Sequence, residues 1–246
     1  MDKLLLGLFI SILIFVCLLF GIFNLSIKDR KFTCNRYILN TYLYIILTVN
    51  IISILMLLME YLKVQFRPNG FLFFAMFFVS LVCIFMMHYI DAHSIILKHL
   101  VWLVFILLLG LLFYPMYIQY KNQKHLILSS MLTTLIIFVG LSFIAYIKPE
   151  WISLSWGPVL LLLLIGGIIM ELITLFLFSK SENRSLVLKL MSYFFIMVFM
   201  VFILHDTKRL QINALECVKA DYIKESLGLF LDIFNIFVRL LGLSIR

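Results

Sequence analysis

Eight long apolar runs divide this chain, and they constrain its fold more than any other feature. Each is close to the length of about 20 residues that an α-helix needs to cross a bilayer. The connectors between them are short and carry most of the charged residues. The sequence therefore predicts an all-α, polytopic transmembrane helix bundle with spans at residues 3–25, 37–61, 70–90, 99–118, 126–147, 155–178, 187–206 and 223–243.

The composition argues against the other broad classes of protein. Hydrophobic residues make up 65% of the 246 residues, which is more apolar surface than a soluble domain of this size can cover. A transmembrane β-barrel needs alternating apolar and polar residues, whereas these runs are continuously apolar. The net charge of +8 comes from basic connectors, where topology and lipid headgroups account for it, so we expect no nucleic-acid partner.

The first apolar run follows Lys3 and resembles the start of a signal peptide. It is about 20 residues long, longer than the apolar region of a typical signal peptide, and no clear small-residue cleavage site follows it. We therefore expect a retained signal-anchor helix.

Two aspartates occupy apolar surroundings: Asp206 in VFILHDT and Asp232 in LGLFLDIFNIF. An acid at membrane depth costs roughly 2.5–3.5 kcal/mol on insertion scales, so it normally faces a bundle interior or a water path. If the two carboxyl groups meet, one proton is shared and the pair titrates as a unit. Such a pair predicts a pH-sensitive latch, and its oxygens predict a transient calcium site.

The last apolar run carries its polar and small residues at helical spacing. At 3.6 residues per turn they form one stripe, which should face the bundle interior while several apolar faces meet lipid. An amphipathic helix lying on the membrane surface is the alternative. The stripe consists of Glu225, Gly228, Asp232, Asn235, Arg239 and Gly242.

Other polar residues are candidates for supporting the acid pair. His205 adjoins Asp206, although Asp206 could instead be a boundary carboxylate capped by Lys208 or Arg209. Glu171 lies deep in the sixth run, where it either lines an ion pathway or makes a buried contact with Lys98 or Arg239.

The four cysteines form no CxxC motif and no cluster with histidine. We therefore expect no metal site and no thiol chemistry at these positions. The sequence instead predicts that Cys17, Cys34, Cys83 and Cys217 behave as small, buried apolar groups.

Two motifs in the closing half carry a resemblance to a known family. Residues 205–210 (HDTKRL) are similar to the pattern Y-D-T-Q-x-I, and residues 226–237 (SLGLFLDIFNIF) to A-L-N-L-Y-L-D-I-I-N-L-F. Weaker similarities lie upstream at 36–42 (RYILNTY), 105–110 (FILLLG) and 132–138 (LTTLIIF). In this order and spacing they resemble the transmembrane Bax inhibitor motif family, the Bax inhibitor and Lifeguard proteins.

The resemblance implies a seven-helix core over residues 36–246, preceded at 1–35 by an extra transmembrane helix and a basic connector. It implies that Asp206 and Asp232 form the central acid pair of a pH-dependent calcium leak linked with cell death. The membrane would be that of the endoplasmic reticulum or Golgi in a eukaryotic or viral member, or the inner membrane in a bacterial one. The chain departs from the family at Leu109, where the family has glutamate, and at His205 and Lys208, where it has tyrosine and glutamine.

Two functions remain open at this point. The first is a calcium-permeable leak channel gated by the acid pair, with calcium as the transported ion and no cofactor. The second is a non-conducting membrane protein that inhibits apoptosis by binding Bcl-type regulators or other membrane proteins. An enzyme is not expected, because Asp232 lacks the G-x-G-D motif of intramembrane aspartyl proteases and Ser142 lacks a G-x-S-x-G context.

Overall fold

The computed structural model of the protein describes residues 3–28, 31–176 and 184–244. Eight α-helices make up most of the described chain, and all eight are long and apolar enough to cross a membrane. Their bounds are α1 Lys3–Ser26, α2 Tyr37–Tyr61, α3 Gly70–Tyr89, α4 Ile95–Tyr120, α5 Lys124–Ile147, α6 Trp156–Phe176, α7 Arg184–Leu215 and α8 Tyr222–Leu243. The prediction of an all-α polytopic membrane protein is confirmed.

Two short elements between the helices were not predicted. A hairpin of two-residue antiparallel strands, β1 Ile27–Lys28 and β2 Lys31–Phe32, pairs Ile27 with Phe32 directly after α1. A single 3₁₀ turn at Pro149–Trp151 separates α5 from α6. Both are too short to carry a hydrophobic period that a sequence pattern could reveal.

Helix α7 ends at Leu215, well beyond the predicted end at residue 206. Its basic residues find partners inside the protein: Lys208 donates to the carbonyl of Ile152, and Arg209 contacts Asp206. Gln211 also donates from Nε2 to the carbonyl of Ala145 at 3.3 Å. Because these polar side chains are satisfied by the protein, the helix continues through them, and Asp206 lies in its interior.

The chain divides into two units, residues 1–122 with 216–227 and residues 123–215 with 228–246. In the first unit α1 packs on α2, α2 on α4 and α3 on α4, around large buried side chains such as Tyr44, Phe105 and Tyr222. In the second unit α5 and α6 both pack on α7. Its core is built on Phe195, Phe199, Ile203 and Ile236.

Five hydroxyl side chains within the apolar helices form hydrogen bonds with their own backbone. Thr41, Thr48, Thr134, Thr174 and Ser192 each donate to the carbonyl four residues earlier, at 2.7–3.1 Å. Inside a bilayer an unpaired hydroxyl would cost more than it does in water, so these bonds let polar residues remain in spanning helices.

A disulfide joins Cys34, which precedes α2, to Cys217, which lies between α7 and α8. The prediction that all four cysteines are buried apolar groups is therefore wrong for this pair, and Cys17 is exposed, whereas Cys83 is buried as expected. The two bonded residues lie 183 positions apart, and no short-range motif could reveal the pairing. The bond attaches the α7–α8 connector to the segment that leads into α2.

Loss of this disulfide should destabilise the first unit. Cys34→Ser and Cys217→Ser should each lower the free energy of unfolding by about 2 kcal/mol, because the bond restricts the unfolded chain. The double variant should be no worse than either single variant, since one change already removes the bond. Melting of the oxidised protein in detergent would measure this, with the exposed Cys17→Ser as the control; equal melting of all variants would contradict the prediction.

Candidate functional site

Asp206 is a buried carboxylate with two neighbours on its own helix, the imidazole of His205 and the guanidinium of Arg209. Only 7% of the residue is exposed. His205 Nδ1 lies 2.9 Å from Asp206 Oδ1, and Arg209 approaches with Nη1 at 3.4 Å from Oδ1 and Nη2 at 3.5 Å from Oδ2. Of the two basic residues that could cap a boundary carboxylate, Arg209 pairs with Asp206, whereas Lys208 donates to the carbonyl of Ile152.

Asp232, on α8, is the second buried acid of the same site. It is 5% exposed, and its Oδ2 atom has no hydrogen-bond partner among the described residues. The charged groups that act on it electrostatically are Asp206 and Arg209. The structure thus brings together the two aspartates that the sequence paired, and it adds Arg209, for which the sequence predicted only the role of a cap. When both acids are ionised, the trio of Asp206, Asp232 and Arg209 carries a net charge of −1.

Gly228 allows Asp206 to approach the backbone of α8. A Cβ atom at this position would lie 2.5 Å from Asp206 Oδ2, closer than real Cβ contacts. Gly228 precedes Asp232 by one helical turn, so both face the same neighbours. Its place in the predicted stripe therefore has a steric reason.

His205 is held on the side away from Asp206. Its Nε2 atom lies 3.3 Å from the carbonyl oxygen of Leu154, and a Cβ at Gly157 would come within 3.1 Å of it. If Nε2 carries the proton, His205 donates a hydrogen bond from this atom to the carbonyl oxygen of Leu154. The ring is therefore fixed between the α6 entrance and the acid.

Glu171 forms an ion pair with Arg239 rather than with the two aspartates. The contact is bidentate, with Nη1–Oε1 at 2.5 Å and Nη2–Oε2 at 2.6 Å. Arg239 also lies 4.2 Å above the ring of Phe195, a cation–π contact. Of the alternatives left open by the sequence, the structure shows the contact with Arg239.

The polar stripe of α8 divides among different surroundings. Asn235 donates to the carbonyl of Leu231 on its own helix at 2.8 Å, and Glu225 is buried in the first turn, within the first unit. No residue from 222 to 243 is exposed. The expectation of several lipid-facing sides on this helix is therefore wrong, and the surface-helix alternative does not fit.

Lys98, the other predicted partner of Glu171, pairs with Asp221 instead. The lysine is fully buried, and it also donates to the carbonyl of Ile90 at 3.1 Å. Asp221 in turn caps α8 by accepting from the N–H of Lys224 at 3.2 Å. This pair was missed, although an aspartate directly before an apolar helix is a recognisable N-cap signal.

Asp91 is an exposed acid in the α3–α4 connector. Lys219 Nζ lies 2.6 Å from its carboxylate, and this bond, together with one from the N–H of His93, lowers the pKa of Asp91 below its ordinary value. Asp91 therefore stays ionised across neutral pH. It is a suitable control for experiments on the buried acids.

A family comparison covers nearly the whole chain. The model of the family described as "Inhibitor of apoptosis-promoting Bax1" matches residues 34–244. The chain belongs to the Bax inhibitor family. The resemblance that the sequence motifs indicated is confirmed, as is an integral, multi-pass membrane protein linked to inhibition of apoptosis. No curated protein matches the chain.

Helix α1 lies outside the matched residues, while the acid pair lies within them. The division at residue 35 between an extra helix and a family domain stays a prediction. Among the described residues no three or more His, Cys, Asp or Glu side chains cluster in a way that could hold a metal ion.

The close approach at Gly228 can be tested with alanine. Gly228→Ala should lower the free energy of unfolding by about 1–3 kcal/mol, because the new methyl group collides with Asp206. Gly140→Ala in α5 is the matched control, since a Cβ there meets nothing within 4 Å. Thermal melting in detergent should separate the two variants, and equal melting would show that Asp206 does not lie against α8.

The Glu171–Arg239 pair should show a measurable coupling. Glu171→Gln, Arg239→Gln and the double variant form a cycle in which the coupling free energy should be about 1 kcal/mol, as expected for residues in direct contact. A coupling near zero in equilibrium unfolding would mean that the two side chains do not meet in the membrane.

Proposed function

We propose that the chain is a pH-sensitive, calcium-permeable leak whose gate is the pair of Asp206 and Asp232. The observation that carries the proposal is the buried Oδ2 atom of Asp232, which lacks a hydrogen-bond partner among the described residues and lies near Asp206 and Arg209. A buried polar atom without a partner costs free energy until a proton, a water or a cation satisfies it.

Protonation would decide which of these satisfies the site. With one proton present, the two carboxyl groups form a single hydrogen-bonded unit that holds α7 to α8, and Arg209 balances the remaining charge. When that proton leaves, a net negative charge stays in apolar surroundings, and like charges on the two helices repel. The site then opens or takes up a cation with a preference for oxygen ligands, such as calcium.

The neighbouring residues have supporting roles in this scheme. His205 and Arg209 set the charge around Asp206, while Gly228 lets the acid reach α8. The Glu171–Arg239 pair and Asn235 belong to the same unit of the chain and stabilise its helices without contributing a free acid. Glu225, at the other end of the stripe, lies in the first unit.

The family description supports a second candidate. A protein that inhibits apoptosis-promoting Bax could act by binding Bcl-type regulators or other membrane proteins without conducting ions. Under that function the buried acids are structural contacts only. We place the leak first because a structural contact gains nothing from a carboxylate oxygen left without a partner. Placement in the endoplasmic reticulum, the Golgi or a bacterial inner membrane belongs to the proposal, as does the absence of a cofactor or an enzymatic activity.

Calcium flux into proteoliposomes between about pH 6 and pH 8 tests the proposal. Flux should rise with pH in the wild type as the pair loses its proton. Asp206→Asn and Asp232→Asn should each abolish this dependence, because an amide neither titrates nor repels. Asp91→Asn should leave the profile unchanged, since Asp91 is exposed and stays ionised throughout.

Three outcomes would decide between the candidates. A pH-dependent flux that either buried variant flattens supports the leak. Background flux in every protein would move the assignment to the non-conducting interaction protein. A pH profile that both buried variants leave intact would place the titrating group elsewhere.

A further inference from the structure

A cavity of about 650 Å³ opens at one end of the first unit, apart from the acid pair. It lies between the α2–α3 connector and the last turns of α4. Its lining includes three cationic side chains, Lys63, Arg67 and Lys121, and a single acid, Glu60. Since α2 ends at Tyr61 and α4 at Tyr120, the cavity lies at the ends of two helices that are long and apolar enough to cross a membrane.

The cations outnumber the acid, and the acid is already engaged. Glu60 lies 3.6 Å from Lys121 and accepts a hydrogen bond from the hydroxyl of Tyr117 at 2.5 Å. Among the described residues no carboxylate lies within ion-pair distance of Lys63 or Arg67. With Glu60 and Lys121 balancing each other, the cavity retains two positive charges.

Lys63 lies at the C-terminal end of α2, at the left-handed position of a common helix-ending motif. The N–H of Val64 donates to the carbonyl of Met59 at 2.9 Å and that of Lys63 to Glu60 at 3.1 Å, the pattern of a Schellman motif. The residue that turns the chain, Lys63, has φ of 52°. Glycine is favoured at this left-handed position, so lysine is less favourable here than glycine for the backbone conformation.

The rest of the lining is amphipathic. Tyr114, Pro115 and Ile118 of α4 present apolar surface, with Tyr114 fixed by its hydroxyl bond to the carbonyl of Val64 at 2.8 Å. Gln65 and Gln119 add neutral polar groups, and Phe66, which lies between Lys63 and Arg67 in the sequence, also lines the cavity. Lys63 and Arg67 are exposed, whereas Tyr114 is buried. Exposed cations beside apolar surface suit a phospholipid, in which a charged phosphate adjoins apolar acyl chains.

We propose that this cavity binds the headgroup of an anionic glycerophospholipid, with Lys63 and Arg67 as the principal phosphate contacts. Arginine offers a planar fork that suits phosphate oxygens, and lysine adds a compact charge. Basic pockets at the ends of transmembrane helices are suited to such headgroups. The site is separate from the proposed gate, so it can be tested without any measurement of ion flux.

Native mass spectrometry of the full chain in detergent tests the proposal. Equal amounts of phosphatidylglycerol and phosphatidylcholine are added, and the bound fraction of each lipid is read directly. The wild type should retain phosphatidylglycerol selectively. Lys63→Gln with Arg67→Gln should weaken that binding roughly tenfold, because two phosphate contacts near the membrane surface are lost.

Two further variants sharpen the test. Lys124→Gln removes an exposed lysine just after Lys121 along the chain but outside the cavity lining, so its binding should match the wild type. Glu60→Gln keeps an acceptor for Tyr117 while removing the acid, so it should bind phosphatidylglycerol several-fold more tightly. An intact Cys34–Cys217 disulfide and an unchanged melting temperature would show that each variant folds.

The proposal is overturned if the double variant binds phosphatidylglycerol as the wild type does, or if Lys124→Gln loses as much binding, which would indicate general surface charge. Competition with inorganic phosphate then distinguishes a lipid headgroup from soluble phosphate as the ligand. Failure of phosphate to displace the lipid supports a lipid site, whereas displacement at concentrations equal to those of the lipid would assign the cavity to soluble phosphate and overturn the lipid assignment.

Discussion

Two carboxyl groups buried in the same apolar surroundings constrain this protein more than any other interaction. Asp206 is held by its helical neighbours His205 and Arg209, and it can reach α8 only because Gly228 has no side chain. Asp232 is left with an unsatisfied buried oxygen among the described residues. Arg209 acts on both acids, and the binding of one proton would change the net charge of Asp206, Asp232 and Arg209 from −1 to zero. In the proposed latch, that one unit of charge would decide whether α7 and α8 attract or repel each other.

The helices could be predicted because the bilayer sets their length and the apolar runs match it. The ends of the helices were harder to predict wherever charged residues have partners inside the protein. Lys208 and Arg209 look like a membrane exit in the sequence, but each finds an internal partner, and α7 continues to Leu215. The Cys34–Cys217 bond could not be foreseen, since partners 183 residues apart leave no local pattern.

The candidate site was predictable in part for the same reasons. An acid in an apolar run is conspicuous, and two of them, with the family motifs around them, suggested a pair. The basic partner of both acids could not be predicted, because a basic residue three positions after Asp206 in the sequence also fits a cap at a membrane boundary. Only the three-dimensional path of α7 shows that Arg209 acts on both acids. Lys98 and Asp221 were missed as a pair for the related reason that each lies in a connector or near a helix end, where charges are expected to be solvated.

The proposed latch requires that Asp206 and Asp232 share one proton. Infrared difference spectroscopy of the reconstituted protein would measure this through the C=O stretch of a protonated carboxyl group, followed from about pH 5 to pH 9. A single carboxyl band that is present in the wild type, disappears as the pH rises and is missing or moved in both Asp206→Asn and Asp232→Asn is the predicted result. A wild-type spectrum without such a band, or a band that neither substitution alters, would contradict the shared proton and with it the latch.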